Sequence, residues 1–186
     1  EAHKKLQKKS WVGIGRNDNE KTYQELLKEY STTEFCGYEV TSCNSKLLYI
    51  IKNDMLVDST KKNDEVILIF DKTPFYAEAG GQLGDSGKIL NSKKQTVAEI
   101  SDTKKINNGI YLHFVNQCLF ELKKNESYVL EIDIYKRNKT SNNHSATHLL
   151  HESLRQIVGK HVSQKGSLVS SKKLRFDYSS NEQLSL

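Results

Sequence analysis

Hydrophobic spacing changes its period near Lys136, and no single regular element carries both periods. From Phe35 onward, apolar residues come in steps of two or in short solid runs of β-formers. These are Tyr38 to Ser42, Lys46 to Lys52, Glu65 to Phe70, Thr96 to Ile100, Ile110 to Val115 and Tyr128 to Tyr135. Turn-forming clusters separate them at Asn53-Asp54, Lys62-Asn63-Asp64, Asn91-Ser92 and Asn107-Asn108-Gly109. Residues 33–135 therefore predict an antiparallel β-barrel or sandwich. After Lys136, Ala146, Leu149, Leu150, Leu154, Ile157 and Val158 mark one side of a helix of about four turns, with Asn143 or Ser145 near its start and Gly159 at its end.

Two short strands should follow that helix, near Gly166 to Val169 and Lys173 to Tyr178. At the other end, Tyr23, Leu26, Leu27 and Tyr30 stand at i, i+3, i+4 and i+7, which predicts helices before Thr33. The expected fold class is α+β: a helical segment over 1–32, the barrel over 33–135, and the beginning of an α/β module over 136–186. One helix and two strands cannot cover that helix's apolar face from both sides, so the last module reads as incomplete.

A length of 186 residues allows one full domain or two small ones. Runs such as Leu47 to Ile51 and Val66 to Phe70 are far too short to cross a bilayer. The N-terminus lacks the pattern of a signal peptide, and Cys36, Cys43 and Cys118 form no disulfide framework, so a cytoplasmic setting without membrane contact is expected. The net charge of +5 comes from 28 basic and 23 acidic groups. That excess is compatible with a polyanionic partner without requiring one.

Chemistry concentrates in two places. His144 and His148 are four apart, so their rings lie within about 40° on one helix face, as a tetrahedral metal needs from a helix. His151 shares the face, while the residue after His144 is Ser145, so the zinc-protease signature is absent. A polar helix surface with scattered histidines is the alternative reading. The other place is the stretch Thr73 to Gly87, which contains the only proline and four of the ten glycines. Such a loop lets backbone approach another segment or a ligand closely, although no Walker or dinucleotide motif is present.

In order, Thr73-Pro74-Phe75-Tyr76-Ala77-Glu78-Ala79-Gly80-Gly81-Gln82, His144-Ser145-Ala146-Thr147-His148-Leu149-Leu150, His161-Val162-Ser163-Gln164-Lys165-Gly166-Ser167 and Leu174-Arg175-Phe176-Asp177-Tyr178 resemble the editing region of bacterial alanyl-tRNA synthetases. The likeness spans nearly the whole chain. Its last part is similar to the start of the zinc-dependent deacylase module shared with threonyl-tRNA synthetases and free-standing editing proteins.

The resemblance implies zinc held by His144 and His148, an amino-acid pocket lined by Thr147 and Gln164, and a loop of Gly80, Gly81 and Gln82 approaching that pocket. It offers Arg137, Lys165 and Arg175 as phosphate contacts. The implied partners are the acceptor end of tRNA(Ala) and the rest of the same polypeptide, whose aminoacylation domain would use ATP and Mg. The family completes its metal site with a later Cys-x-x-x-His, which does not occur between His148 and Leu186. Two zinc ligands are thus expected beyond Leu186, and the 186-residue piece alone is expected to be inactive. A noncatalytic tRNA-binding or spacer module is the alternative from another class.

Overall fold

The computed structural model describes Tyr23, residues 32–106 and residues 109–180. Apart from Tyr23, the helices expected before Thr33 lie outside the described residues.

Among the described residues from Glu34 onward there are eleven strands and one helix. The strands are β1 (Glu34–Phe35), β2 (Ser42–Lys52), β3 (Met55–Val57), β4 (Val66–Phe70), β5 (Lys72–Thr73), β6 (Gly87–Leu90), β7 (Thr96–Lys105), β8 (Tyr111–Cys118), β9 (Ser127–Ile132), β10 (Ser163–Val169) and β11 (Leu174–Ser179). The helix α1 (Ile134–Ile157) lies between β9 and β10.

Strands β2, β4, β8, β7, β6 and β9 pair in that order, and β9 pairs back onto β2, closing a six-stranded antiparallel barrel. Closure is made possible by the length of β2. Its first half, Ser42 to Lys46, faces β9, and its second half, Leu47 to Ile51, faces β4. At the seam Gly87 of β6 lies so close to β9 that a Cβ there would collide with the Glu131 carbonyl. The β2–β3 hairpin turns through Asn53 and Asp54, both at positive φ (49° and 59°), the geometry of a two-residue turn whose twist matches the strands.

Inward-facing Leu47, Ile50, Leu68, Phe70, Phe75, Ile89, Ile100 and Leu130 fill the barrel. A smaller cluster of Ile51, Ile69, Ile110 and Leu112 packs with Tyr23. His113 sits fully buried, its ring nearly perpendicular to those of Phe70 and Phe75. The Leu68 carbonyl can only accept, so Nδ1 of His113 donates to it (3.1 Å), and Nε2 accepts from the Thr73 hydroxyl (2.8 Å). Burial pushes this imidazole down to a pKa of about 4.

Three expectations are corrected. Residues Tyr38 to Val40 form a turn and not a strand, and β2 runs unbroken from Ser42. The last barrel strand stops at Ile132, not Tyr135. The helix begins at Ile134, about nine residues before Asn143, because Asp133 caps it by accepting from the Lys136 amide (3.0 Å). The switch from strand to helix thus takes a single residue, and α1 projects directly from the end of β9.

Arg137, in the first turn, fastens α1 to the barrel. Its Nε donates to the Asp85 carboxylate (2.8 Å to Oδ2), Nη1 to the Gly37 carbonyl (2.9 Å) and Nη2 to the Pro74 carbonyl (2.9 Å) and to Asp85. The two side chains are only 16% and 7% exposed. Beyond the helix, β10 and β11 form an antiparallel hairpin that contacts α1, with the His151 ring 5.1 Å from that of Phe176. Leu149 (71% exposed) and Ile157 (84%) stand largely in solvent. Among the described residues no helix is long and apolar enough to cross a membrane.

Candidate functional site

The glycine-rich loop, α1 and β10 meet at one place. Ala79 and Gln82 exchange backbone hydrogen bonds (3.1 and 3.0 Å) around Gly80 and Gly81, whose φ values of 59° and 83° are those of a tight two-residue turn. This turn lies against β10: the Val169 amide donates to the Gly81 carbonyl (2.7 Å) and the Leu83 amide to the Val169 carbonyl (3.0 Å). A Cβ on Gly81 would collide with the hydroxyl and carbonyl of Ser167, so glycine is required both for the positive φ and for the approach. Ser167 closes the contact by donating to the Gly80 carbonyl (3.3 Å).

The turn presents Gln82 to α1. Its side chain, in a residue only 7% exposed, lies 2.6 Å through Oε1 from Nδ1 of His144. The rings of His144 and His148 stack at 4.9 Å between centroids and 17° between planes. The pair thus lies on one face, as its spacing predicts. Two imidazoles suit two positions of a zinc shell, but among the described residues no group of three or more histidine, cysteine, aspartate or glutamate side chains could hold a metal. None of the three cysteines joins the histidines. Cys118 is buried in the barrel, and Cys43 lies beside Ser45 (3.1 Å).

Thr147 is buried, with its hydroxyl donating to the Asn143 carbonyl one turn back (2.8 Å). Gln164 is exposed at the start of β10, donating through Nε2 to Ser167 (3.1 Å) and leaving Oε1 as an acceptor. Lys165 falls at the register break between Gln164 and Gly166, where a bulge turns an exposed side chain out of the ladder. Arg175, also exposed, pairs with Asp177 (3.1 Å). Arg137 stands apart, because its guanidinium is occupied by Asp85 and two carbonyls and holds the helix start.

Two residues without an expected role belong to the junction. Ser167 links Gln164 to Gly80, and Asn143, expected near a helix start, donates instead to the Ser170 carbonyl of the β10–β11 turn (2.8 Å). Both are small polar residues whose partners are distant in sequence, and no local pattern marks them.

The family model described as tRNA synthetases class II (A) matches residues 1–136. The chain is similar to an alanine–tRNA ligase of Ruegeria sp. (strain TM1040), 39% identical over 184 residues, which cover 99% of this chain and 20% of the relative. It is similar also to the alanine–tRNA ligases of Wolbachia pipientis wMel (40% over 177 residues, 94% and 20%) and of Fusobacterium nucleatum subsp. nucleatum (46% over 161 residues, 87% and 17%). It spans about a fifth of the length of these relatives. Matched by the family model over residues 1–136 and by these relatives along nearly its full length, the chain belongs to the class II (A) tRNA synthetases.

Proposed function

We propose that this chain is the proofreading region of an alanyl-tRNA synthetase, and that the junction of Gln82, His144, His148 and Gln164 belongs to a centre that hydrolyses the ester of seryl- or glycyl-tRNA. The observation that carries the reading is the convergence itself: the glycine turn meets both later segments, Gln82 bonding to His144 62 residues on and Gly80 accepting from Ser167 87 residues on. A structural spacer would not require a buried glutamine aimed at an imidazole.

The chemical need is physical. An alanine pocket cannot exclude the smaller glycine and rejects an added hydroxyl only weakly, so a ligase for alanine gains from a second site that removes the products. Zinc, held by His144, His148 and ligands outside the described residues, would polarise the ester carbonyl or its attacking water. The chain's own residues do the rest. Gln164 Oε1 accepts the seryl hydroxyl, which alanine lacks, while Thr147 closes the pocket beside the histidines with its methyl group. Lys165 and Arg175, exposed next to the junction, contact phosphates of the tRNA acceptor end. Elsewhere in the polypeptide, the aminoacylation domain uses ATP and Mg to charge tRNA(Ala).

The test is His148→Ala in the full-length ligase. Hydrolysis of seryl-tRNA should fall at least about 100-fold while alanine charging persists, because only the second site is damaged. Unchanged seryl-tRNA hydrolysis would favour the noncatalytic tRNA-binding module instead.

A further inference from the structure

We propose that Gln82 is a positioning residue for His144: the barrel's glycine turn delivers an amide oxygen that fixes which nitrogen of the imidazole carries the proton. The inference rests on the hydrolytic reading above only for its consequence in catalysis.

An amide oxygen accepts and cannot donate, so the 2.6 Å contact between Gln82 Oε1 and His144 Nδ1 puts the proton on Nδ1. The lone pair then belongs to Nε2, the nitrogen farther from the barrel. A free imidazole in water favours the opposite tautomer, with the proton on Nε2. The contact therefore selects the minor form and points a bare nitrogen away from Gln82, as a ligand histidine requires.

Gln82 is well held for this task. Its backbone is clamped to Ala79 by two hydrogen bonds, it is bridged to Val169 of β10, and its side chain is sequestered from water. Because it lies 62 residues from His144, the interaction couples the barrel to α1. The loop thus contributes orientation of a ligand, beyond space for a substrate. His148 is exposed and stacks against His144.

Long-range proton–nitrogen correlation spectra of the metal-free 186-residue chain read the tautomer directly. His144 is assigned by the loss of its signals in His144→Gln. The wild-type chain should show Nδ1–H. Gln82→Met, which keeps the shape and removes the acceptor, should revert His144 to mainly Nε2–H, and Gln82→Glu, which keeps the acceptor, should restore Nδ1–H. An Nε2–H tautomer in the wild type, or an Nδ1–H tautomer that survives in Gln82→Met, would overturn the proposal. The wild-type spectrum decides even if Gln82→Met does not fold.

In the full-length ligase, Gln82→Met should lower kcat for seryl-tRNA hydrolysis about 10-fold or more, with KM within about twofold and with recovery in Gln82→Glu. An unchanged kcat in Gln82→Met would count against the role in catalysis. If the wild-type ligase itself hydrolyses no seryl-tRNA, the proofreading reading fails while the tautomer result still stands for Gln82.

Discussion

At the scale of single residues, His113 shows how a barrel interior sets a protonation state. Neutral, the ring satisfies both nitrogens, Nδ1 donating to the Leu68 carbonyl and Nε2 accepting from the Thr73 hydroxyl, and its full burial opposes the charge that a second ring proton would bring. The folded chain therefore refuses a proton until about pH 4, whereas the unfolded chain takes one up near 6.5. Stability from this residue is complete above pH 6.5 and declines as pH falls toward 4, by about 3 kcal/mol in all. Urea midpoints of the chain and of His113→Gln at pH 7 and pH 4.5 check it, and equal acid losses in both would remove His113 as the cause. Gln164 is a residue of the opposite kind, exposed, with its side-chain amide donating to Ser167. Gln164→His in the full-length ligase should slow seryl-tRNA hydrolysis several-fold without altering thermal stability. Hydrolysis rates for seryl-, glycyl- and alanyl-tRNA all within about twofold of wild type would show that Gln164 does not select.

Among the elements, α1 has the most to explain. Spacing of Ala146, Leu149, Leu150, Leu154, Ile157 and Val158 made the second half of the helix readable, because an apolar stripe of period 3.6 is a local signal. Its first half, Ile134 to Asn142, carries Lys136, Arg137, Asn138 and Lys139 and no such stripe. What holds it is the Asp133 cap and the grip of Arg137 on Asp85, Gly37 and Pro74, partners 52, 100 and 63 residues away. Arg137→Met leaves the Asp85 carboxylate buried without its cation and should cost about 3 kcal/mol. Adding Asp85→Asn should recover part of that loss, since the stranded charge disappears. Denaturant titration of the two variants is the measurement, and a loss under about 1 kcal/mol in Arg137→Met would mean that the pair does not hold the helix.

For the molecule as a whole, stability resides in the barrel. Its interior is a continuous set of fully buried side chains, whereas α1 keeps Leu149 and Ile157 largely in water and has only Thr140 and Thr147 buried. Leu68→Ala should therefore cost about 2–5 kcal/mol, and Ile157→Lys less than about 0.5 kcal/mol in the 186-residue chain. Comparable losses for both would show that the helix face is covered in solution. Gly81 matters to the junction because the turn it forms, bonded within the barrel loop, reaches across to β10.

Local chemistry in the sequence determined the alternation that makes strands, the Asn53-Asp54 turn, the histidine pair at helical spacing and the glycine pair able to adopt positive φ. Each of these follows from a residue's own backbone preference or from neighbours within a turn or two. Tertiary structure alone decided that β9 closes onto β2, that Arg137 faces Asp85, and that Gln82 meets His144. Those pairings join residues 52 or more positions apart, and only the shared packing of the whole sheet brings their atoms within hydrogen-bonding distance.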